Sequence, residues 1–152
     1  GNTLSFYYCS TNGNLYNADA SGSVQTNQWQ HCAVTKSGNT INVWLNGTKG
    51  SDHTIVGDMQ NSSSNTTIGG YIAGGGWADG LISNIRLTKG QALYTSNFTP
   101  STSALITTSQ GATASNVKLL CCQKSVVNMA AVTPNPITIG GGDPTPSTSD
   151  PY

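Results

Sequence analysis

The sequence predicts an all-β protein in which two antiparallel sheets pack as a sandwich. Only 8% of its 152 residues are charged, and 18 are glycine. Glycine, together with many Ser, Thr and Asn residues, disfavours helices and favours turns and strands. Apolar and polar residues alternate over short runs that turn signals separate, and this pattern is typical of an antiparallel sandwich.

Two hairpins and three further strands carry this prediction. Alternation over residues 3–10 is followed by an Asn-Gly pair at 12–13, which favours a hairpin turn. Residues 29–47 predict a second hairpin that ends at the Asn-Gly pair at 46–47. Its return strand places Ile41, Val43 and Leu45 on one face and Trp44 on the other. The further strands are predicted at residues 66–72, 81–87 and 118–123.

The composition divides the chain near residue 127. Residues 1–127 carry the strand patterns and form the predicted sandwich. Residues 128–152 hold all but one of the six prolines and predict an extended Pro/Gly-rich arm without a core of its own. The chain begins at Gly1 without a methionine, which favours processing or an incomplete chain.

The charge balance bears on the possible partners. Six basic and six acidic residues give a formal net charge of zero, so long-range attraction to nucleic acid or to an anionic membrane is not expected. No apolar run approaches the roughly 20 residues that span a bilayer, and we predict no membrane insertion.

The four cysteines are predicted to be reduced and structural. Cys9 and Cys32 lie in alternating runs where a free thiol behaves as a small apolar side chain. Cys121 and Cys122 are neighbours in a predicted strand, so their side chains are expected on opposite faces. A bond between them would close a strained ring.

The acidic residues do not predict an enzyme. Glycosidases need two carboxylates on either side of one bond, roughly 5–10 Å apart. The chain has no glutamate, and its six aspartates are scattered. His31 and Cys32 are neighbours in a strand and face opposite sides, so they form no dyad. His31 is expected to pack near Trp29, and His53, beside Asp52, is expected in a solvated turn.

Carbohydrate binding is the more serious functional candidate. Sugar rings stack on exposed aromatic side chains, while amides and carboxylates bond to the hydroxyls. The candidates for this role are Trp77, Asp79, Tyr71, Asn61 and Asn65. The alternative is that Trp77 packs over one end of the sandwich or contacts another subunit. No cofactor is expected apart from calcium, for which Asp58 and Asp79 are candidate ligands.

Several motifs resemble one known family. They are Trp-x-His at 29–31 with Ala-Val-Thr at 33–35, the strand that ends in Asn-Gly at 46–47, and Gly-Leu-Ile-Ser-Asn-Ile-Arg at 80–86. Together they resemble the concanavalin A-like, laminin G-like jelly-roll family over roughly residues 4–123. Relatives have one or two further strands before Leu4, so the resemblance implies that this chain lacks part of a sheet. Where many relatives have an acidic pair, this chain has Ser83 and Asn84, which weakens the case for calcium.

The run Lys-Gly-x-Ala-Leu-Tyr-Thr-x-Asn-Phe-Thr-Pro at 89–100 resembles a narrower group, the laminin G-like modules in structural proteins of tailed bacteriophages, including those of marine cyanobacteria. This resemblance implies a non-enzymatic virion protein on the particle surface: a tail fibre, an appendage or a capsid decoration. Its partners would be other virion proteins, copies of itself and host-surface polysaccharide. The alternative is a secreted, lectin-like carbohydrate-binding module of a larger enzyme or adhesin.

Overall fold

The computed structural model describes residues 2–63, 65–71, 76–124, 129–140, 145–149 and 151–152, with the backbone alone of Tyr71. The chain forms two units: the first unit is residues 1–63 and 92–100, and the second unit is residues 64–91 and 101–152. All strand pairs are antiparallel, which confirms the predicted all-β class. Helical structure among the described residues is confined to two 3₁₀ turns, Ser109–Gly111 and Ala114–Asn116. These stretches contain no helix long and apolar enough to cross a membrane.

The strands of the first unit form a hairpin and a larger sheet. They are Ser5–Cys9 (β1), Leu15–Asp19 (β2), Cys32–Ser37 (β3), Thr40–Leu45 (β4), Thr48–Lys49 (β5) and His53–Thr54 (β6). β1 pairs with β2, and β4 pairs with β3, β5 and β6. The second unit contains Gly70–Tyr71 (β7), Gly76–Trp77 (β8), Ile85–Thr88 (β9), Val117–Cys121 (β10) and Ala130–Val132 (β11). There β7 pairs with β8, and β10 lies between β9 and β11.

Both Asn-Gly pairs form the turns that the sequence predicts. Between β1 and β2 the amide of Ser10 donates to the carbonyl of Asn14 at 2.9 Å, and Gly13 has a φ of 83°. At the end of β4, Asn46 and Gly47 have φ values of 51° and 79°. Left-handed φ at both central positions matches the right-handed twist of the flanking strands.

Strand β4 is buried on both faces, although alternation alone predicts only one apolar face. Ile41 and Val43 lie in a core with Tyr8 from β1. On the opposite face Trp44 is fully buried, and its ring centroid lies 6.4 Å from that of Phe98. The core around Ile41 and Val43 also contains Ala18, Ala20, Leu45 and Ile55. The strand therefore stands between two apolar layers of the first unit.

The strands of the second unit are shorter than predicted. The prediction for residues 66–72 is wrong at its start, since β7 begins at Gly70. The prediction for residues 81–87 is wrong in the same way, because Asn84 has a φ of 55° and β9 begins after it. β10 ends at Cys121, because Cys122 has a φ of 58°. A left-handed residue interrupts the extended backbone that a strand requires.

Two of the cysteine predictions are wrong. Cys32 is exposed in β3 instead of packed. Cys121 and Cys122 do not project to opposite faces: their sulfurs lie 3.7 Å apart. The cause is again the left-handed φ of Cys122, because alternation of side chains holds only while the backbone remains extended. All four cysteines are free thiols in the structure.

Part of the predicted arm joins a sheet. β11 pairs with β10, with Leu120 opposite Val132 and Cys121 opposite Ala130. The described residues after Val132 belong to no strand or helix. The division of the chain at residue 127 stays a prediction, and strand β11, which follows it, belongs to the second unit.

We predict that Gly47→Ala is far more damaging than Gly13→Ala. Both glycines have positive φ, but a Cβ at Gly47 would lie 1.9 Å from the carbonyl oxygen of Phe98, whereas one at Gly13 meets no atom within 4 Å. Gly13→Ala should cost about 1 kcal/mol of unfolding free energy through its φ alone. Gly47→Ala should cost about 3 kcal/mol or more because backbone must also move. Chemical denaturation measures both, and equal losses would contradict the close approach of residue 98 to this turn.

Candidate functional site

The hairpin of β7 and β8 presents the most exposed tryptophan. Trp77 pairs across the hairpin with Gly70, and the residue is 55% exposed. The amide of Ala78 donates to the carbonyl of Gly69 at 2.8 Å, and Thr67 Oγ1 donates to the carbonyl of Gly70 at 2.7 Å. These bonds fix the backbone on which the indole lies.

The indole of Trp77 packs directly against the backbone of Gly70. A Cβ on Gly70 would lie 2.2 Å from Cε3 and 2.3 Å from Cζ3 of the ring. The ring therefore occupies space that only a glycine leaves open. The residue is nevertheless largely exposed to solvent. An aromatic surface held in this way loses little side-chain entropy when a flat apolar ligand stacks on it.

The other predicted sugar-binding residues divide between the two units. Asn65, Tyr71 and Asp79 belong to the second unit, as does Trp77, whereas Asn61 belongs to the first. Asp79 and Asn65 are exposed, and the Tyr71 side chain lies outside the described residues. Tyr71 pairs with Gly76 through its backbone, one position from Trp77. The sugar-binding set stays a prediction, with Trp77 as its best-defined member.

The predicted calcium ligands also fall in different units. Asp58 lies in the first and Asp79 in the second, and both are exposed. The described part of the chain gathers no group of three or more His, Cys, Asp or Glu side chains that could hold a metal ion. Calcium binding at Asp58 and Asp79 stays a prediction.

Ser83 and Asn84 have structural contacts. Ser83 Oγ donates to the carbonyl of Cys122 at 3.2 Å. Asn84 Oδ1 accepts from the amide of Leu105 at 2.8 Å. The carbonyl of Leu105 in turn accepts from Nε2 of Gln123. These two side chains therefore hold a loop of the second unit in place.

An open polar cavity of about 460 Å³ lies in the first unit. It is lined by Asn17, Ala18, Asp19, Ala20 and Ser21 at the end of β2, and by Lys49, Gly50, Ser51, Asp52 and His53 around β5 and β6. Gly50 permits the approach of the two segments, since a Cβ there would lie 2.1 Å from the carbonyl oxygen of Asp19. Asp19 and Asp52 lie far apart in the sequence, but in the fold both line this cavity.

Each of the two carboxylates is held through one oxygen. Asp19 Oδ1 accepts from Ser5 Oγ at 2.5 Å and from Asn17 Nδ2 at 2.9 Å. Asp52 Oδ1 pairs with Lys49 Nζ at 2.5 Å and accepts from Asn42 Nδ2 at 2.6 Å. Hydrogen bonds from Ser5 and Asn17 lower the pKa of Asp19, and those from Lys49 and Asn42 lower the pKa of Asp52. Both groups are therefore carboxylates at neutral pH.

The two histidines have structural surroundings. His53 lies in β6 instead of a solvated turn, and its Nε2 is 3.0 Å from the hydroxyl of Tyr8. That hydroxyl also accepts from the amide of Val56 at 3.1 Å. The ring of His31 packs edge-on against Phe98, with a centroid separation of 5.3 Å. His31 therefore packs against an aromatic ring that is distant in sequence, and its structural role stays a prediction.

Antiparallel sheets make up both units of the chain. The chain matches the family model Laminin_G_3, described as the concanavalin A-like lectin/glucanases superfamily, over residues 1–96. The chain therefore belongs to this family, and the predicted jelly-roll, laminin G-like class is confirmed. No curated protein and no solved structure matched the chain.

We predict that Asp52 stabilises the fold only above the pH range in which it titrates. Its pKa is lowered from 3.8 on folding, so its contribution is fully present above 3.8 and disappears as pH falls through the lower folded value. Asp52→Asn should lower the thermal midpoint at about pH 7 and lower it less at about pH 2, because the stabilisation disappears as the carboxylate becomes protonated.

The matched control is Asp58→Asn, because Asp58 is an exposed carboxylate and no side-chain hydrogen bond to it is seen among the described residues. This variant should show no such pH-dependent difference. If Asp52→Asn destabilised the protein equally at both pH values, its bonds to Lys49 and Asn42 would not depend on charge.

Proposed function

We propose that this chain is a non-enzymatic, glycan-binding module. The observation that carries the proposal is Trp77, which is 55% exposed and whose indole packs directly against Gly70. The apolar face of a sugar ring stacks on such a surface, and nearby polar groups such as Asp79 bond to its hydroxyls. Membership of a family that includes lectins supports carbohydrate as the ligand class.

The absence of hydrolysis is part of the same proposal. Glycoside hydrolysis requires a carboxylic acid with a raised pKa that protonates the leaving oxygen. Asp19 and Asp52 share a cavity, but hydrogen bonds lower the pKa of both. The chain also contains no glutamate. Two ionised carboxylates accept hydrogen bonds from sugar hydroxyls but donate no proton.

We further propose that the module works on the surface of a tailed-phage particle, as a tail fibre, appendage or capsid decoration. The motif at residues 89–100 supports this setting through its resemblance to phage structural proteins. A formal net charge of zero lets identical copies crowd together without repulsion. Its partners in this proposal are other virion proteins, copies of itself and host-surface polysaccharide, and neither nucleic acid nor a membrane interior.

A secreted carbohydrate-binding module of a larger enzyme or adhesin is the second candidate. The same Trp77 surface favours it, since a sugar platform serves equally well in either setting. The presence of the chain in purified phage particles distinguishes the two, because only the first candidate requires it there.

We predict that glycan binding depends on the Trp77 platform. On a glycan array, Trp77→Ala should weaken saturable binding by about tenfold or more, because the stacking surface is lost. Gly70→Ala should have a similar effect while keeping the indole, because its Cβ displaces the ring. Trp29→Ala is the control, since Trp29 is 37% exposed and lies in the first unit.

Circular dichroism verifies that each variant is folded. Binding that is lost in the Trp29 variant and kept in the Trp77 variant would contradict the assignment. Absence of saturable binding by the unmodified chain to any glycan would remove the carbohydrate proposal.

We predict that removal of residues 133–152 abolishes incorporation into particles without unfolding the module. The truncation keeps β11 and its pairing with β10, whereas removal from residue 128 would leave β10 unpaired on that side. An extended segment without its own core is ordered only by contacts elsewhere. Mass spectrometry of purified particles measures incorporation, and an unchanged level of the truncated chain would exclude an assembly role for the arm.

A further inference from the structure

We propose that Cys121 and Cys122 are a redox-active dithiol that closes to a disulfide between adjacent residues. Their sulfurs lie 3.7 Å apart. Cys121 is the last residue of β10 and is only 1% exposed, whereas Cys122 is half-buried. The pair lies in the second unit, and neither sulfur is part of the proposed sugar surface.

The backbone brings the two sulfurs together. In a continuous strand, neighbouring side chains point to opposite faces, but Cys122 has a φ of 58°. The observed separation exceeds a covalent S–S bond by only about 2 Å. Adjacent Cα atoms lie about 3.8 Å apart, below the usual range for disulfides, so the bond formed here is strained and easily reduced. A reversible bond of this kind suits a redox response.

The exposure of the two thiols sets the order of the chemical steps. Burial, with the charge of Cys122 beside it, raises the pKa of Cys121 to about 12. The more accessible Cys122 therefore reacts first with the oxidant, a hydroperoxide. Its thiolate attacks one peroxide oxygen, the O–O bond breaks, and Cys122 becomes a sulfenic acid while water or an alcohol leaves. The Cys121 sulfur then attacks the Cys122 sulfur, and the S–O bond breaks. Water carries away the proton of Cys121, and the peroxide has accepted two electrons.

The oxidation is coupled to a junction in the second unit. The carbonyl of Cys122 accepts from the amide of Asn84 at 2.9 Å and from Ser83 Oγ. Asn84 Oδ1 also accepts a hydrogen bond from the amide of Leu105. Formation of the disulfide changes the backbone at Cys122, so it alters the hydrogen bonds that the Cys122 carbonyl accepts from Ser83 and Asn84. Hydrogen exchange of the Asn84 amide should therefore become faster in the oxidised form.

The test uses the full chain with Cys9→Ser and Cys32→Ser, so that Cys121 and Cys122 are the remaining thiols. The reduced protein should bind two alkyl groups from iodoacetamide after denaturation. After treatment with hydrogen peroxide, the monomer should lose two hydrogens by intact mass and bind none. Reduction by dithiothreitol should restore both sites.

Cys122→Ser in this background is the control, because it removes the partner thiol while keeping a similar side chain. It should lose no hydrogens, and Asn84 exchange should not respond to peroxide. Three outcomes would overturn the proposal. They are oxidation that only adds oxygen atoms, a disulfide found only between two chains on a non-reducing gel, and two alkylation sites that persist after peroxide.

Discussion

Burial of strand β4 on both faces is the constraint on which the first unit depends. Ile41 and Val43 pack with Tyr8, and Trp44 packs on the other side against the rings of Tyr94 and Phe98. The last two rings stack on each other with centroids 3.6 Å apart. This packing brings residues 92–100 beside a strand that lies far earlier in the chain. The Gly47 turn permits the approach, since it leaves room for the carbonyl of residue 98.

Turns at Asn-Gly pairs could be predicted from the sequence, whereas left-handed residues within the predicted strands could not. The Asn-Gly pairs form turns where expected, because glycine and asparagine tolerate positive φ at little cost. Asn84 and Cys122 adopt the same conformation, but their neighbours read as continuous strands. Contacts from distant residues stabilise them: Leu105 bonds to the Asn84 side chain, and the Asn84 amide bonds to the carbonyl of Cys122. The alternation pattern therefore could not predict that the two adjacent sulfurs lie close together.

The candidate site could likewise be predicted from the sequence only in part. Exposure of Trp77 could be predicted from its glycine-rich surroundings, but its packing against Gly70 depends on the register of two short strands. The cavity shared by Asp19 and Asp52 joins segments that are well separated in the chain, so no spacing rule finds it. Its carboxylates accept hydrogen bonds from neighbouring side chains that lower their pKa.

The proposed glycan binding depends on one aromatic surface, that of Trp77, in a family that includes lectins and glucanases. Its most direct test is nuclear magnetic resonance of the indole N–H groups of the three tryptophans during titration with a glycan. Replacement of Trp77 by phenylalanine identifies the Trp77 signal. The account predicts that this signal shifts in a saturable manner, while that of the fully buried Trp44 stays fixed. A glycan that binds but leaves the Trp77 signal unmoved would contradict it.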